Sequence, residues 1–251
     1  DSTNYGDYVS NEFGKLWNIF LNYDPNDIDS FWTQWSPKGT NIWAVFYHAR
    51  INKDSNAPSN PTSYTVSPPT NVWTNDNTID VTLNGATDDL SGIWGYYYSW
   101  TNSPSDPTGG SWSTSSTLPT RTVSDGYWYL NVRARDRAGN LASGYVCNTY
   151  PWMIDTGAPT NPNSYTSSHT VNVWSTDNTI DITWLGASDG QSGVYGYSFV
   201  WDQSSTTIPD TIVDTTGRST TSPALGDGVW YFHVRARDNA GNWASEAYYV
   251  G

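Results

Sequence analysis

Two sets of aspartates occupy matching positions in a sequence that repeats itself, and carboxylates are ligands that hard cations prefer. Carboxylates about 4 Å apart repel each other by roughly 4 kcal/mol per pair at an effective dielectric constant near 20. A divalent cation therefore stabilises a set of carboxylates that the fold brings together, because it offsets this repulsion. The chemistry that these residues offer is therefore cation binding. The first set is Asp54, Asp88 and Asp136, and the second set is Asp155, Asp189 and Asp238, with Asn242 beside it.

The repeat is clearest where residues 125–143, DGYWYLNVRARDRAGNLAS, return as residues 227–245, DGVWYFHVRARDNAGNWAS. Apolar and polar residues alternate in each copy, and a period of two predicts a half-buried strand of an antiparallel sheet. Asp-Gly before the strand and Asp-x-Ala-Gly-Asn after it are turn signatures. On the solvent face, where we expect the arginines to form cross-strand ion pairs, the alternation places Asn131, Arg133, Arg135, His233, Arg235 and Arg237.

Each copy has two more alternating segments upstream of this strand. They are residues 79–83 and 96–100 in the first copy and residues 180–184 and 197–201 in the second. The stretches at 101–124 and 202–226 differ between the copies and contain Pro and Gly, which favours loops and short edge strands. A last strand is expected at 145–153 and again at 247–250.

The composition and charge of the chain argue against nucleic-acid binding and membrane insertion. The chain has 251 residues and a formal net charge of -13, so phosphate backbones and anionic lipid surfaces repel it. Cys147 is the only cysteine and excludes an intrachain disulfide, and no apolar run is long enough to span a bilayer. We therefore expect no nucleic-acid partner and no membrane insertion. Asp1 stands first without a methionine or an apolar leader, which fits a processed or trimmed start, and we expect an extracellular chain at the cell surface.

The order of these segments resembles the fibronectin type III sandwich, an immunoglobulin-like β-fold. The resemblance rests on Trp184 in one strand, on Gly-Tyr-x-Phe-x-Trp at 196–201 and on Trp-x-Phe-x-Val-x-Ala at 230–236. The linker at 154–159, Ile-Asp-Thr-Gly-Ala-Pro, also resembles the linkers in tandem immunoglobulin-like repeats of large secreted bacterial and archaeal surface proteins and adhesins. The resemblance implies an all-β chain with tandem sandwiches.

We expect three regions, namely a strand-rich aromatic segment at 1–53, a first sandwich at 54–154 and a second sandwich at 155–251. The N-terminal segment matches neither copy and is too aromatic for a relaxed tail. It either caps the first sandwich or adds a strand to a neighbouring copy of the chain. The candidate strands are 41–51 and 17–23, although 13–23 also fits one face of a helix. Strand addition that does not close builds a filament.

In a sandwich of this kind, the entry to the first strand, the loop between the second and third strands and the last loop lie at one pole. We therefore expect each aspartate set to converge, and the resemblance to the adhesin repeats implies structural calcium at the linkers. The alternative is that these aspartates only cap turns through backbone N–H groups. Lys53 and Arg137 stand next to the first set, so the second set has less local charge relief and is the better candidate.

Catalysis has little support in the sequence. The three histidines stand in unrelated contexts, and no serine lies in a nucleophile elbow or beside a phosphate loop. We expect a non-enzymatic extracellular structural protein, the subunit of a cell-surface filament, pilus-like fibre or adhesin stalk, joined by strand addition. The alternative is a pair of carbohydrate-binding accessory modules of a secreted polysaccharide-degrading enzyme, in which Trp94, Tyr97 or Trp112 stacks on sugar rings.

Overall fold

The computed structural model describes residues 53–250 and contains strands but no helix in that range, so no helix there is available to cross a membrane. The expected all-β class is confirmed for this part of the chain. The N-terminal segment, with its candidate strands at 41–51 and 17–23, lies outside the described residues apart from Lys53. The strands are β1 (Ser63–Ser67), β2 (Trp73–Thr74), β3 (Thr78–Asn84), β4 (Ile93–Thr101), β5 (Ser111–Ser113), β6 (Arg121–Thr122), β7 (Gly126–Asp136), β8 (Val146–Cys147), β9 (Trp152–Ile154), β10 (Ser164–Ser167), β11 (Asp181–Leu185), β12 (Val194–Asp202), β13 (Ser219–Thr221), β14 (Tyr231–Asp238) and β15 (Tyr248–Val250).

The first sandwich consists of two sheets. One sheet has the order β1-β3-β6, and the other has the order β2-β9-β7-β4-β5, with β8 also paired to β7. Neighbouring strands are antiparallel except β2 and β9, which run parallel. This strand order is that of a fibronectin type III sandwich, as the sequence predicts.

The second sandwich repeats this plan with six strands among the residues up to Val250. Its sheets have the orders β10-β11-β13 and β12-β14-β15. The register is the same in both copies, since Tyr96 pairs with Ala134 as Tyr197 pairs with Ala236. Both sandwiches belong to one unit of the chain, Ser55–Gly251. Two tandem fibronectin III-like sandwiches therefore make up most of the described residues.

The alternation of apolar residues predicts both cores. The expected inward residues that are buried include Ile79, Val81, Leu83, Leu130, Val132 and Ala134 in the first sandwich and Ile182, Trp184, Phe232, Val234 and Ala236 in the second. The ring centre of Trp184 on β11 lies 5.4 Å from that of Tyr197. In the first core, the ring of Trp152 on β9 lies 5.4 Å from that of Trp100. A large indole thus fills each core, but it comes from a different strand in each.

Two residues expected to face solvent are buried instead. Asn131 and His233 are at most 1 % exposed, because the segment that follows β4 or β12 covers this face of the sheet. Asn131 accepts a hydrogen bond from the Ser105 N–H at 2.9 Å, and the His233 Nε2 lies 2.8 Å from the Ser204 carbonyl oxygen. A period of two assigns residues to faces, but it does not show that a loop covers a face.

The arginines on β7 and β14 contact aromatic rings more than carboxylates. Of the four arginines on these two strands, only Arg133 forms an ion pair within the described residues, at 3.2 Å, and its partner Asp106 belongs to a loop. The expected cross-strand ion pairs are therefore wrong. The other three guanidinium groups lie 4.8–5.5 Å from ring centres, a distance at which a cation is attracted to the ring face. The pairs are Arg135 with Trp94, Arg235 with Trp243 and Arg237 with Tyr195.

The last strand of the first sandwich is interrupted. Asn148 stands between β8 and β9, and its Oδ1 accepts the Leu130 N–H at 2.7 Å in place of a backbone carbonyl. As a result, β8 and β9 both pair with β7 but at different places along it. In the second sandwich β15 corresponds to β8.

Tyr64 on β1 tests the energetics of burying a hydroxyl group. Its hydroxyl is buried without a hydrogen-bond partner, and burial, with the nearby Cys147, raises its pKa to about 12. Such a buried group costs on the order of 1–3 kcal/mol. We expect Tyr64→Phe to increase the free energy of unfolding in urea at neutral pH by about 1 kcal/mol, and a clear loss of stability would contradict this reading.

The same residue gives a pH dependence of stability. Because the pKa is higher in the folded protein than its ordinary value of 10.0, the folded state holds the proton more tightly. This stabilisation is complete below the ordinary pKa and is lost as the pH rises through the folded-state pKa. The wild type should lose more stability than Tyr64→Phe between about pH 10 and pH 12. Tyr165→Phe, at the corresponding exposed position on β10, is the control and should behave as the wild type does.

Candidate metal centre

The second aspartate set converges, as the sandwich topology predicts. Carboxylate oxygens of Asp155, Asp189 and Asp238 all lie within 4.8 Å of one another. Asp155 follows β9, Asp189 lies in the loop between β11 and β12, and Asp238 ends β14. Asp155 and Asp238 are at most 1 % exposed, whereas Asp189 is partly exposed. Three segments that are distant in sequence thus bring three carboxylates to one pole of the sandwich.

Asp238 is held by the turn that follows it. Its Oδ1 accepts the N–H groups of Gly241 at 2.7 Å and of Asn242 at 2.8 Å. Gly241 takes a φ of +105°, which glycine adopts without the strain that a Cβ atom brings. The Asp-x-Ala-Gly-Asn motif therefore orients the carboxylate as well as closing the hairpin.

Asp189 and Asp155 also accept backbone hydrogen bonds. The Asp189 Oδ2 accepts the Gly193 N–H at 2.7 Å. The Asp155 carboxylate accepts the N–H groups of Gly157 and Ser192, both at 3.0 Å. The turn-capping role and the convergence therefore occur together, and the two interpretations of these aspartates are compatible.

The spacing of these carboxylates fits a calcium ion. Calcium lies about 2.3–2.6 Å from its oxygen ligands, so oxygens bound to one ion lie within roughly 5 Å of one another, and the three carboxylates, within 4.8 Å of one another, meet this condition. Three like charges at this spacing repel one another, and two of them are buried. Gln191, Ser192 and Gly193 donate their hydrogen bonds to the Asp189 Oδ2, which leaves Oδ1 for a cation.

Asn242, the fourth residue of the predicted second site, contacts two of the carboxylate-bearing residues. Its amide nitrogen donates to the Asp155 carbonyl oxygen and to the Asp238 Oδ2, both at 2.8 Å. These bonds position Asp155 and Asp238 relative to each other. A direct ligand role for Asn242 stays a prediction.

The first sandwich carries the corresponding set, Asp54, Asp88 and Asp136, within the same 4.8 Å limit. Asp136 accepts the N–H groups of Gly139 at 2.6 Å and Asn140 at 2.8 Å, in the turn that repeats the one after β14. The Asp88 Oδ1 is buried and has no hydrogen-bond partner. A buried carboxylate oxygen without a partner is stabilised by a counter-charge, so this set also fits a cation.

Asp155 also connects the two sandwiches. Its N–H donates to the Thr74 carbonyl oxygen of the first sandwich at 3.0 Å, while its own carbonyl oxygen accepts the Asn242 amide of the second. The next residue, Thr156, donates its N–H and its hydroxyl to the Asp125 Oδ1, both at 2.9 Å. The second aspartate set therefore lies where the two sandwiches meet. We call this region, residues 154–157 with their partners, the internal joint.

Sequence reasoning misses Asp125 as a residue of the internal joint. The Asp-Gly pair predicts only a turn, and the bond from Thr156 crosses 31 positions of sequence, which local patterns do not report. The internal repeat could have indicated this contact, because Asp125 recurs as Asp227 and the hydroxyl-bearing Thr156 corresponds to Ser55.

The chain is similar to solved structures of fibronectin-type modules. The fibronectin(III)-like modules of Clostridium thermocellum CbhA align with 75% of this chain and 92% of their own, at 14% identity and a TM-score of 0.38. The FN1-FN3 domains of chicken CNTN1 align with 77% of this chain and 64% of their own, at 12% identity and a TM-score of 0.38. No family model and no curated protein matches the chain. The fold is therefore defined by the strand order of the chain itself.

Asp125→Ala tests the internal joint. The variant loses both hydrogen bonds from Thr156, so we expect the free energy of unfolding in urea to fall by about 1 kcal/mol. Asp227→Ala is the matched control, because Asp227 holds the same place in the second sandwich and accepts no hydrogen bond within the described residues. Equal losses in the two variants, measured in dilute protein, would show that these bonds do not stabilise the joint.

Proposed function

We propose that the chain is a non-enzymatic extracellular structural protein, the subunit of a cell-surface filament, pilus-like fibre or adhesin stalk. The observation that best supports this function is the internal joint, in which a short linker is hydrogen-bonded to both sandwiches. A tandem pair connected in this way keeps a fixed direction under load, which a stalk or fibre requires. The matching linker motifs at 53–58 and 154–159 fit a chain built of repeating links.

Structural calcium is part of this proposed function. In the second sandwich, Asp155, Asp189 and Asp238 would supply carboxylate oxygens to the ion, and the set at Asp54, Asp88 and Asp136 would do the same in the first. The ion neutralises the repulsion between carboxylates. Because Asp155 belongs to the internal joint, binding there also makes the joint stiffer.

We expect calcium to raise the melting temperature and a chelator to lower it. A single ion at 100 times its dissociation constant adds about 2.7 kcal/mol to the free energy of unfolding. Asp189→Asn should lose the gain from the second site, because it removes a ligand charge with little change in shape. Glu246→Gln, which removes an exposed charge outside the set, should keep that gain. Calorimetric melting curves that are identical with calcium and with chelator would count against the ion.

We propose further that subunits join through residues 1–53. The alternating apolar residues of 41–51 favour a strand that adds to a sheet of a neighbouring copy, and 17–23 is the second candidate. A contact between different surfaces of identical chains continues from copy to copy and builds a filament.

Light scattering and negative-stain microscopy of the whole chain in calcium test the assembly. We expect fibres whose mean length increases with protein concentration, and we expect monomers after deletion of residues 1–53. Particles that remain monomeric at high concentration, both with and without the deletion, would remove the basis for a filament subunit.

Sugar binding by the first sandwich is the second candidate function. The ring centre of Trp112 lies 5.1 Å from that of Trp94 and 4.8 Å from that of Tyr97, so the three residues named from the sequence form one aromatic group. Trp94 is 43 % exposed, and exposed rings of this kind stack on sugar faces. Glycan binding that disappears in Trp94→Ala would favour this function over the structural one.

A further inference from the structure

The outer face of the first sandwich carries aromatic and cationic side chains that its hydrophobic core does not include. We call this group the outer cluster, and it consists of Trp94, Tyr97, Trp112 and Arg135. Tyr97 on β4 lies opposite Trp112 on β5, and their ring centres are 4.8 Å apart. The register of β4 shifts at Trp94, and such a bulge re-aims a side chain. The Trp94 ring centre lies 5.1 Å from that of Trp112 and 4.8 Å from the Arg135 guanidinium carbon, so the four side chains form one continuous surface.

The second sandwich folds without these aromatic rings. By strand register, Ser198 holds the place of Tyr97. Asp214 holds the place of Trp112, and its Oδ2 accepts the Ser198 hydroxyl at 3.2 Å. Because the same fold forms with two polar residues at these positions, the rings are not needed to build the sandwich. Aromatic area that the fold does not need, on a partly exposed surface, is typical of a binding site.

The central ring of the outer cluster is held in a fixed position. Trp112 packs against Tyr97 and against Trp94 at the bulge. It also lies directly over the backbone of β4 at Gly95, where a Cβ atom would stand 2.7 Å from the indole. Only glycine leaves room for this approach. A ring that is fixed before a ligand arrives loses little conformational entropy on binding.

Arg135 brings a positive charge that no carboxylate among the described residues neutralises. Its neighbour on the same face, Arg133, is paired with Asp106 at 3.2 Å. Arg135 is half-buried and stacks on Trp94, and stacking occupies the face of a guanidinium while its in-plane N–H groups stay available. Within the described residues those N–H groups donate no hydrogen bond, so they suit an anionic acceptor from a ligand.

A sugar that carries a carboxylate fits both parts of the outer cluster. Indole and phenol rings stack on the apolar faces of sugars, and a guanidinium binds a carboxylate through two parallel N–H···O bonds. We infer that the outer cluster binds an acidic glycan, a chain that contains uronic acid units, with a uronate carboxylate on Arg135. This inference rests on sugar binding, the second candidate function, and names the class of sugar.

The net charge of -13 is compatible with such a ligand. At about 0.15 M salt the Debye length is about 8 Å, so charges elsewhere on the surface are largely screened and the groups nearest to the ligand decide. A uronic acid chain carries at most one charge per sugar, whereas double-stranded DNA carries one per roughly 1.7 Å. A single unpaired guanidinium therefore suits a glycan and not a nucleic acid.

Titration calorimetry of the whole chain tests the role of the charge. The probes are a galacturonate trimer, which is too short for calcium to crosslink into a gel, and its methyl ester, which keeps the rings but loses the charges. We expect the acid to bind about tenfold more tightly than the ester. Arg135→Gln should remove this difference, because it keeps N–H donors without the charge, and its unchanged affinity for the ester shows that the variant is folded. Arg237→Gln, the matched change beside Tyr195 in the second sandwich, should leave both affinities unchanged.

A second variant tests the rings. Trp112→Ser removes the central ring and should weaken the binding of both probes about tenfold. Equal affinity of the wild type for the acid and the ester would overturn the acidic class and leave sugar binding intact. No binding of either probe, together with an empty glycan array, would contradict the second candidate function as well. Self-association of the chain that Trp112→Ser abolishes would assign the outer cluster to a contact between copies and overturn a glycan as its ligand.

Discussion

The strand that closes the first sandwich runs directly into the residue that anchors the second, and the rest of the structure depends on this continuity. Ile154 is buried in the first core, and Asp155 is buried beside the carboxylates of the second sandwich. A residue in a sheet and a buried, hydrogen-bonded carboxylate each have few accessible conformations. Two such residues in succession leave the linker little freedom, so the direction of the second sandwich follows from that of the first.

The same continuity places negative charge at the joint. Backbone N–H groups stabilise the Asp155 and Asp238 carboxylates, but neutral donors leave the repulsion between those charges in place. The orphaned Asp88 oxygen shows the same deficit in the first sandwich. Under the proposed function, a divalent cation corrects this deficit and couples the stiffness of the chain to the calcium concentration outside the cell.

The strands and the two cores could be predicted from the sequence, because a period of two and an internal repeat indicate them directly. The convergence of the aspartates could be predicted only through the sandwich topology that the order of the segments resembles. Features that depend on loops could not. Asn131 and His233 are covered by segments whose sequences differ between the copies, so no shared pattern indicates their burial. The stacking of Arg135 on Trp94 depends on cross-strand register. The preference for the second aspartate set rested on charged neighbours in sequence, and the unpartnered Asp88 oxygen in the first set gives that preference no support.

Under the proposed function, strand addition through residues 1–53 links the fold to the assembly. The most direct measurement is a helical reconstruction of the assembled chain by electron cryomicroscopy at a resolution that separates strands. We expect a strand from residues 41–51 or 17–23 of one copy to be added to a sheet of the neighbouring copy. Density in which residues 1–53 contact only their own copy would contradict a filament built by strand addition.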